Sequence, residues 1–420
     1  MDLIFAEATP PGRGGVSVIR LSGDRARAVA ETLVGSMSLS RHAYFRAVIH
    51  EDEPIDQALA MWFAEGASFT GEEVAELHLH GAPVVVRRVG AALLDLGARP
   101  ADAGEFTRRA FLHGRMDLAE VEGLGDLLVA ETESQRKLAL RAAGGELARK
   151  LAGWRDVLIE AGALVEVSVD FADEDVPDEV PPRVFDLVAT LRQALQQELD
   201  GFRAAERVRA GFDIAIIGPP NAGKSSFLNR LAKRDVAIVS DRAGTTRDVI
   251  ELRYDLEGLA VTFLDTAGLR ESGDDIEQIG IEKAFSRARA ADMRIHLSRD
   301  GSRVDELWVP GDLMVQSHAD LGASAPLAIS AVTGQGIGAV LTQIFETLGS
   351  KVSDAGLISH ERQRLEVISA LAALEGADSL PAELLAESLR RANIALDRLL
   401  GRIDPDDYLD KIFSSFCIGK

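Results

Sequence analysis

Cysteine is almost missing from this chain: there is one, Cys417, among 420 residues. A single thiol excludes intramolecular disulfides and cysteine-cluster metal sites, and it suits a reducing cytosol. A basic excess is missing too. The 67 acidic residues outnumber 46 basic ones, for a formal charge of −21. That balance argues against indiscriminate binding of nucleic acid or anionic membrane, while leaving room for a local basic patch that serves one chosen RNA. No stretch approaches the ~18 uncharged apolar residues of a membrane span. The first seven residues have neither the basic region nor the apolar core of a signal peptide. Internal repeats and low-complexity tracts are also absent. What remains, 46% apolar and 27% charged, is the make-up of a soluble, cytoplasmic globular protein with roughly two to four domains.

Residues 1–117 alternate short β-like runs with helical ones. Residues 14–21 read as a strand after the turn Thr9-Pro10-Pro11-Gly12, and residues 76–80 alternate with period two. Residues 83–96 read as a helix stopped by Gly97, so an α+β domain is expected. From Leu118 the pattern turns helical, with Leu124, Leu127 and Leu128 on one stripe and Val184, Leu187, Val188, Leu191, Leu195 and Phe202 on a later one. The acidic loop 170–179 between them reads as a solvated connection rather than a metal site, and the basic run Arg136, Lys137, Arg141, Arg149, Lys150 as a solvated helix face rather than an RNA surface. Residues 208–348 alternate strand and helix, as a parallel α/β domain does. Two further helical stripes follow: Leu365, Ile368, Leu371 and Leu374, then Leu385, Leu389, Ala392, Leu396 and Leu399. The expected division is 1–117, 118–207, 208–348 and 349–420, an α/β domain inserted into an all-α one.

Residues 218–225 read Gly-Pro-Pro-Asn-Ala-Gly-Lys-Ser, between the apolar run 212–217 and a helical pattern. Strand, glycine loop and helix are the context a phosphate-binding loop requires. Glycines let successive backbone N–H groups converge on phosphate oxygens at a helix N-terminus. Asn221, Ala222, Gly223, Lys224, Ser225 and Ser226 would line the phosphates, with Lys224 reaching the β and γ groups and Ser225 ligating Mg²⁺. Thr246, within Gly244-Thr245-Thr246-Arg247-Asp248, can complete the Mg²⁺ shell and sense the γ-phosphate. A strand-like run ends in Asp265-Thr266-Ala267-Gly268, where Asp265 would hold Mg²⁺ through water and the Gly268 N–H would meet the γ-phosphate. Another leads into Ser317-His318-Ala319-Asp320, whose Asp320 can accept two hydrogen bonds from a guanine edge, and Ser330-Ala331 supplies a backbone contact to the base. Taken in this order, the set specifies a Ras-like P-loop GTPase domain, with Lys224, Thr246 and Gly268 in catalytic positions.

Two departures stand out. Leu269 occupies the position where many GTPases carry a water-orienting glutamine, and an apolar side chain cannot orient water. Ser317-His318 replaces the usual Asn-Lys of the base-recognition tetrad. Asp320 is kept, the asparagine bridge to the P-loop is lost, and His318 can imitate the lysine only by stacking on the base. The expectation is guanine specificity with weakened affinity.

The chain resembles the MnmE (TrmE) family of bacterial tRNA-modification GTPases over nearly its whole length. The resemblance lies in residues 8–15, 68–72, 80–83 and 104–111, in the ordered nucleotide motifs, and in the ending Ile412-Phe413-Ser414-Ser415-Phe416-Cys417-Ile418-Gly419-Lys420. It implies a homodimer formed through the N-terminal domain, with a 5-formyl-tetrahydrofolate-type one-carbon carrier at the interface. It also implies an FAD-dependent partner, MnmG, with which a carboxymethylaminomethyl or aminomethyl group is installed at C5 of the wobble uridine of certain tRNAs. GTP hydrolysis would be activated by potassium-dependent juxtaposition of two G domains. Asn221 matches the family's potassium-ligating asparagine, with Ser240, Arg242 and Thr245 supplying further contacts, and K⁺ would sit where an arginine finger otherwise does. Glu277 matches the family's glutamate that positions the attacking water, although on its own it is one acid in an acidic loop with Asp274 and Asp275.

For the folate site the resemblance carries over Arg20, Glu76, Arg115 and Lys420. Arg115 stands where the family often has lysine, which keeps the charge and changes the geometry. By themselves Arg20 is a residue on a strand and Glu76 a strand-end acid. Cys417 is either a thiolate nucleophile toward C6 of uracil or a small packing residue. Two other readings stay open here: a regulatory GTPase switch of the ribosome-assembly type, and an assembly scaffold with an impaired nucleotide site.

Overall fold

The computed structural model describes residues 2–170, 180–234, 237–238, 251–265, 285–352, 355–403, 409, 412–414, 416 and 419. Contacts divide the chain into two compact units: Met1–Gly125 with Ile394–Lys420, and Asp126–Asn393.

The first unit is built on a six-stranded sheet. Its elements run β1 (Ile4–Glu7), β2 (Ser17–Ser22), α1 (Ala26–Val34), β3 (Tyr44–His50), β4 (Glu53–Phe63), β5 (Val74–Leu79), α2 (Pro83–Asp95), β6 (Arg99–Pro100), α3 (Glu105–Leu112) and α4 (Leu118–Val129). The spatial order is β3-β4-β5-β2-β1-β6, with every pairing antiparallel except β1 with β6. Alternation puts Ile19 and Leu21 of β2 and Ala75, Leu77 and Leu79 of β5 into one core with Val29, Leu33, Val89 and Leu93 of the two helices. Proline at its start and Gly97, at φ 85°, just past its end delimit α2, as the sequence pattern requires. Leu118 and Val121 of α4 pack with Leu409, Phe413 and Phe416 of the chain's last stretch. Of the stripe expected at Leu124, Leu127 and Leu128, Leu124 packs against this core, whereas Leu127 is half-buried and Leu128 exposed, because the buried face of α4 lies toward its N-terminus.

The second unit joins helices to a six-stranded sheet that is parallel over four of its strands and antiparallel over the other two. α5 (Glu133–Ala143), α6 (Glu146–Asp170) and α7 (Pro182–Ala210) lead into β7 (Phe212–Ile217), α8 (Lys224–Ala232), β8 (Ala237–Ile238), β9 (Glu251–Leu256), β10 (Leu259–Asp265), β11 (Met293–Ser298) and β12 (Leu313–Gln316). α9 (Ile337–Gly349), α10 (Glu361–Ala373) and α11 (Ala382–Leu399) follow. The strand order is β12-β11-β7-β10-β9-β8, and β12, β11, β7 and β10 are parallel. β7 is apolar on both faces: Phe212, Ile214 and Ile216 enter one core, Ala215 and Ile217 another. The chain places β10 on one side of β7 and β11 on the other, so the carboxyl end of β7 is a topological switch point, where open α/β sheets form their ligand crevice.

In α7 the whole predicted stripe is buried, as are Leu385, Leu389, Ala392, Leu396 and Leu399 of α11. α10 differs. Leu365 and Ile368 of its predicted stripe are exposed, Leu371 is half-buried and Leu374 is buried as expected, while the helix's own buried face runs through Gln363, Val367 and Ala370. Gln363 is on that face because its Oε1 accepts hydrogen bonds from the Ser359 and His360 N–H groups at the helix start, which fixes the rotation of the first turn.

Candidate functional site

The P-loop leaves β7 through a close approach. A Cβ on Gly218 would run into the Leu297 carbonyl oxygen of β11, so only glycine fits between the strands. The loop then turns through Asn221 at φ 60° and Gly223 at φ 95°, the residue that caps α8. Lys224 is buried, and its ammonium donates to the Gly218 and Pro219 carbonyls at 2.8 and 2.9 Å, which holds the charge directly over the loop. The Ser225 hydroxyl donates to Asp265 Oδ2 at 2.9 Å, tying the start of α8 to the end of β10. Ala222 is buried, and Asn221, Ser225 and Ser226 are exposed.

The edge formed by the parallel strands' carboxyl ends carries the base-recognition residues as well. Ser317, directly after β12, donates its N–H to the Ser298 carbonyl at 2.8 Å, and the Ala319 N–H donates to the Ile329 carbonyl at 3.0 Å. Asp320 is exposed, and a hydrogen bond from the Ser330 side chain holds its carboxyl below the ordinary carboxylate range. Ser330 is itself buried and Ala331 half-buried. The P-loop, Asp265 and the loop after β12 that carries Asp320 thus stand on one edge of the sheet, with Ser317 and His318 beside Gly223.

In the first unit, Arg20 and Glu76 are direct partners across β2 and β5, with Arg20 Nε donating to Glu76 Oε1 at 2.9 Å. The Arg20 guanidinium lies 5.8 Å from the Phe69 ring centre and 5.9 Å from that of Phe106. Burial pushes the Glu76 carboxyl up, but the His78 hydrogen bond at 3.3 Å and the Arg20 charge outweigh it and leave the group ionised at a lower pH than usual. Arg115 is exposed, and its stem lies against Gly71 in the same 68–72 stretch that carries Phe69. His78, Phe69 and Phe106 are partners that the sequence argument missed. The signal for His78 was available, since period two puts it on the same face as Glu76.

Much of the motif content of this unit is structural. Arg109 and Glu72 form an ion pair at 2.9 Å with both side chains 4% exposed, and Arg109 also donates to Asp2 at 2.8 Å and Glu105 at 2.9 Å. The Gly14 N–H donates to the Gly81 carbonyl at 2.9 Å, and a Cβ on Gly81 would collide with the Gly14 backbone. Gly419 lies against Glu7 and Ala8.

Ser240, Arg242, Thr245, Thr246, Thr266, Ala267, Gly268, Leu269, Glu277, Cys417, Lys420 and the acidic loop at 171–179 lie outside the described residues. Four of the five cations in the basic helical run have acidic partners: Arg136 and Lys137 with Glu133, Arg141 with Glu146 and Lys150 with Glu198. Arg149 donates to the Gly144 carbonyl at 2.8 Å. Among the described residues, no helix is long and apolar enough to cross a membrane.

Two family models match the chain. The one described as "MnmE helical domain" covers residues 118–417, and "GTP-binding protein TrmE N-terminus" covers residues 3–115. Among curated relatives, the tRNA modification GTPase MnmE of Paracoccus denitrificans (strain Pd 1222) is 58% identical over 420 residues, spanning 100% of both chains. The protein of that name from Roseobacter denitrificans (strain ATCC 33942 / OCh 114) is 50% identical over 430 residues, again across 100% of both. Among solved structures, the G domain of the T. maritima FeoB iron transporter is similar over 32% of this chain and 98% of its own, at 19% identity and a TM-score of 0.26.

Proposed function

Since the chain belongs to the MnmE (TrmE) family of tRNA modification GTPases, we propose that it hydrolyses GTP in a potassium-dependent cycle that drives modification of the wobble uridine of certain tRNAs. The observation that carries the GTPase half is the Ser225–Asp265 contact beside the P-loop, at the carboxyl ends of β7 and β10. A hydroxyl and a carboxylate side by side are hard oxygen donors of the kind Mg²⁺ takes, and the glycine turn beside them leaves backbone N–H groups for phosphate oxygens. When bound, Mg²⁺ neutralises charge that develops on the β- and γ-phosphates.

The chain's own residues do the rest. Lys224 exchanges two loop carbonyls for phosphate oxygens and keeps its charge where the leaving group forms. Thr246 and the Gly268 N–H sense the γ-phosphate, and Asp320, ionised and exposed, accepts from guanine while the Ser330-Ala331 backbone meets the base. Asn221, Ser240, Arg242 and Thr245 would hold K⁺. The exposure of Asn221 on a left-handed turn supports a site completed by apposition of a second G domain. Glu277 would position the attacking water, the task Leu269 cannot perform.

The remaining parts of the reading rest on the family. They are a homodimer through residues 1–117, helical segments 118–207 and 349–420 flanking a G domain at 208–348, and cytoplasmic action with the FAD-dependent MnmG on tRNA. A formyl-tetrahydrofolate-type carrier would be held by Arg20, Glu76, Arg115 and Lys420. An ionised, half-shielded Glu76 fits the N–H groups of a pterin-type ring. Cys417 would stand beside the chemistry.

GTP hydrolysis by the full chain in KCl against NaCl at equal ionic strength, with ATP as control, tests this reading. Strong stimulation by potassium, confined to GTP, is expected. Equal and negligible rates in both salts would remove the self-activating mechanism.

A further inference from the structure

The sheet of the first unit ends in β3, which among the described strands pairs with β4 alone. The turn into this edge and its first residues read Arg41-His42-Ala43-Tyr44-Phe45-Arg46, cations and rings together. The Arg41 guanidinium lies 5.5 Å from the Phe63 ring centre, and that of Arg46 lies 5.2 Å from the Tyr44 ring centre. The exposed His42 ring meets Tyr44 edge-on, with centres 4.8 Å apart. Phe45 points to the other side of the strand, 65% exposed, opposite Leu59 at 44%.

The charges at this edge are not cancelled. Arg41 and Arg46 are exposed, and neither forms an ion pair among the described residues. Each donates to a carbonyl instead, Arg41 to Ala67 and Arg46 to Phe45, which orients the guanidinium and leaves its charge in place. Nearby Glu31 is committed elsewhere: it pairs with Arg27 at 2.9 Å and accepts the Met37 N–H at 2.7 Å. In the basic run of α5 and α6, by contrast, four of five cations have acidic partners. Uncancelled guanidiniums suit phosphates, and exposed rings beside them suit unstacked bases, a pairing that single-stranded RNA presents and a free phosphate does not. Glu51 and Asp52, exposed at the far turn of the β3–β4 hairpin, would repel a phosphate backbone and confine the footprint to the Arg41–Arg46 end.

We propose that this edge is a contact surface for unpaired nucleotides of the tRNA, in which Arg41 and Arg46 hold phosphates while His42 and Phe45 stack on bases. The proposal rests on the tRNA reading above. It places on the β3 edge the local basic patch that a chain of formal charge −21 needs in order to hold an RNA.

The experiment is equilibrium titration of the full chain with an unmodified tRNA transcript carrying a wobble uridine, repeated over a series of salt concentrations. Arg41→Gln and Arg46→Gln are each expected to weaken binding roughly fivefold near 0.1 M salt and to flatten the logarithmic salt slope by about 0.7, the value of one single-stranded phosphate contact. Arg46→Lys should keep the slope. Phe45→Ala should weaken binding by roughly 5- to 50-fold with the slope unchanged, as loss of one stacked base does. Arg136→Gln, in the ion-paired run, should bind as the parent does, and a fully paired RNA duplex should bind more weakly than the tRNA. Melting temperatures of the variants should match the parent, since these side chains are exposed.

Parental affinity and slope in the Arg41→Gln/Arg46→Gln double variant would overturn the proposal, as would an equal loss in Arg136→Gln. Duplex RNA bound as tightly as tRNA removes the role of unpaired nucleotides. If the double variant changes the oligomeric state in sedimentation and tRNA affinity follows only that change, the edge joins two copies of the chain and the proposal falls. A parent chain that binds no tRNA overturns the tRNA reading itself, an outcome distinct from a parent that binds and variants that bind equally well.

Discussion

The two sheets build their sites by opposite means. In the parallel sheet the site is mostly backbone: a glycine that must pass Leu297, a left-handed turn at Asn221 and Gly223, and a helix start that aims N–H groups at one point. In the largely antiparallel sheet the candidate site is side chains, with Arg20 and Glu76 meeting across β2 and β5 and the buried Arg109–Glu72 pair close by in sequence to the same motifs. A backbone site is contiguous, so eight residues specify most of it. A side-chain site depends on register, because slipping β5 by one residue would turn Glu76 to the other face.

The largest expected effect tests how much the side-chain unit depends on its pairs. Arg109→Met leaves Glu72 buried without its cation and should cost about 3–5 kcal/mol in urea unfolding monitored by circular dichroism. GDP binding by the other unit should persist under native conditions, and a loss of both together would erase the distinction drawn between the two. Next comes Lys224→Ala, expected to lower GTP turnover by roughly 10²–10³-fold, as removal of one preorganised charge-stabilising donor does, while the melting temperature changes little. A large drop in melting temperature would mean that the lysine's bonds to Gly218 and Pro219 hold the loop's shape.

A smaller effect comes from pH. The folded Glu76 carboxyl lies below its ordinary value, so the folded chain gives up this proton more readily than the unfolded chain does. Its contribution to stability is full above the unfolded glutamate value, near pH 4.3, and is lost as the pH falls through the folded value. Glu76→Gln should flatten the acid limb of a pH–melting profile below about pH 4.3. An unchanged limb would show that Arg20 and Glu76 carry no folding role. The smallest effect separates the two faces of α10. Leu365→Ala should change stability by less than about 0.5 kcal/mol, whereas Val367→Ala, on the buried face, should cost about 1–2 kcal/mol.

How much was legible follows from the same contrast. β7, the glycine loop and α8 were readable because hydrophobic run, glycine spacing and helix period occur consecutively. α2 and the α7 and α11 stripes were readable because their apolar period matches the face that is buried. The α10 stripe was misread because Leu365 and Ile368 satisfy the helical period as well as Val367 and Ala370 do, and the choice between faces belongs to the neighbours and to the Gln363 cap. The Arg109–Glu72 pair was hidden inside stretches noticed for their family likeness, where a buried ion pair and a functional residue look the same in one dimension.

The sequence by itself determined the strand, glycine loop and helix of the P-loop, since the backbone geometry that makes them is local. Tertiary structure alone decided that Ser225 meets Asp265 across 40 positions and Arg20 meets Glu76 across 56. It also decided that His318, bonded to the Ser317 hydroxyl, stands beside Gly223 of the P-loop. Those meetings are set by strand order and register, which arise when separate apolar faces are buried together, and no local run of residues encodes them.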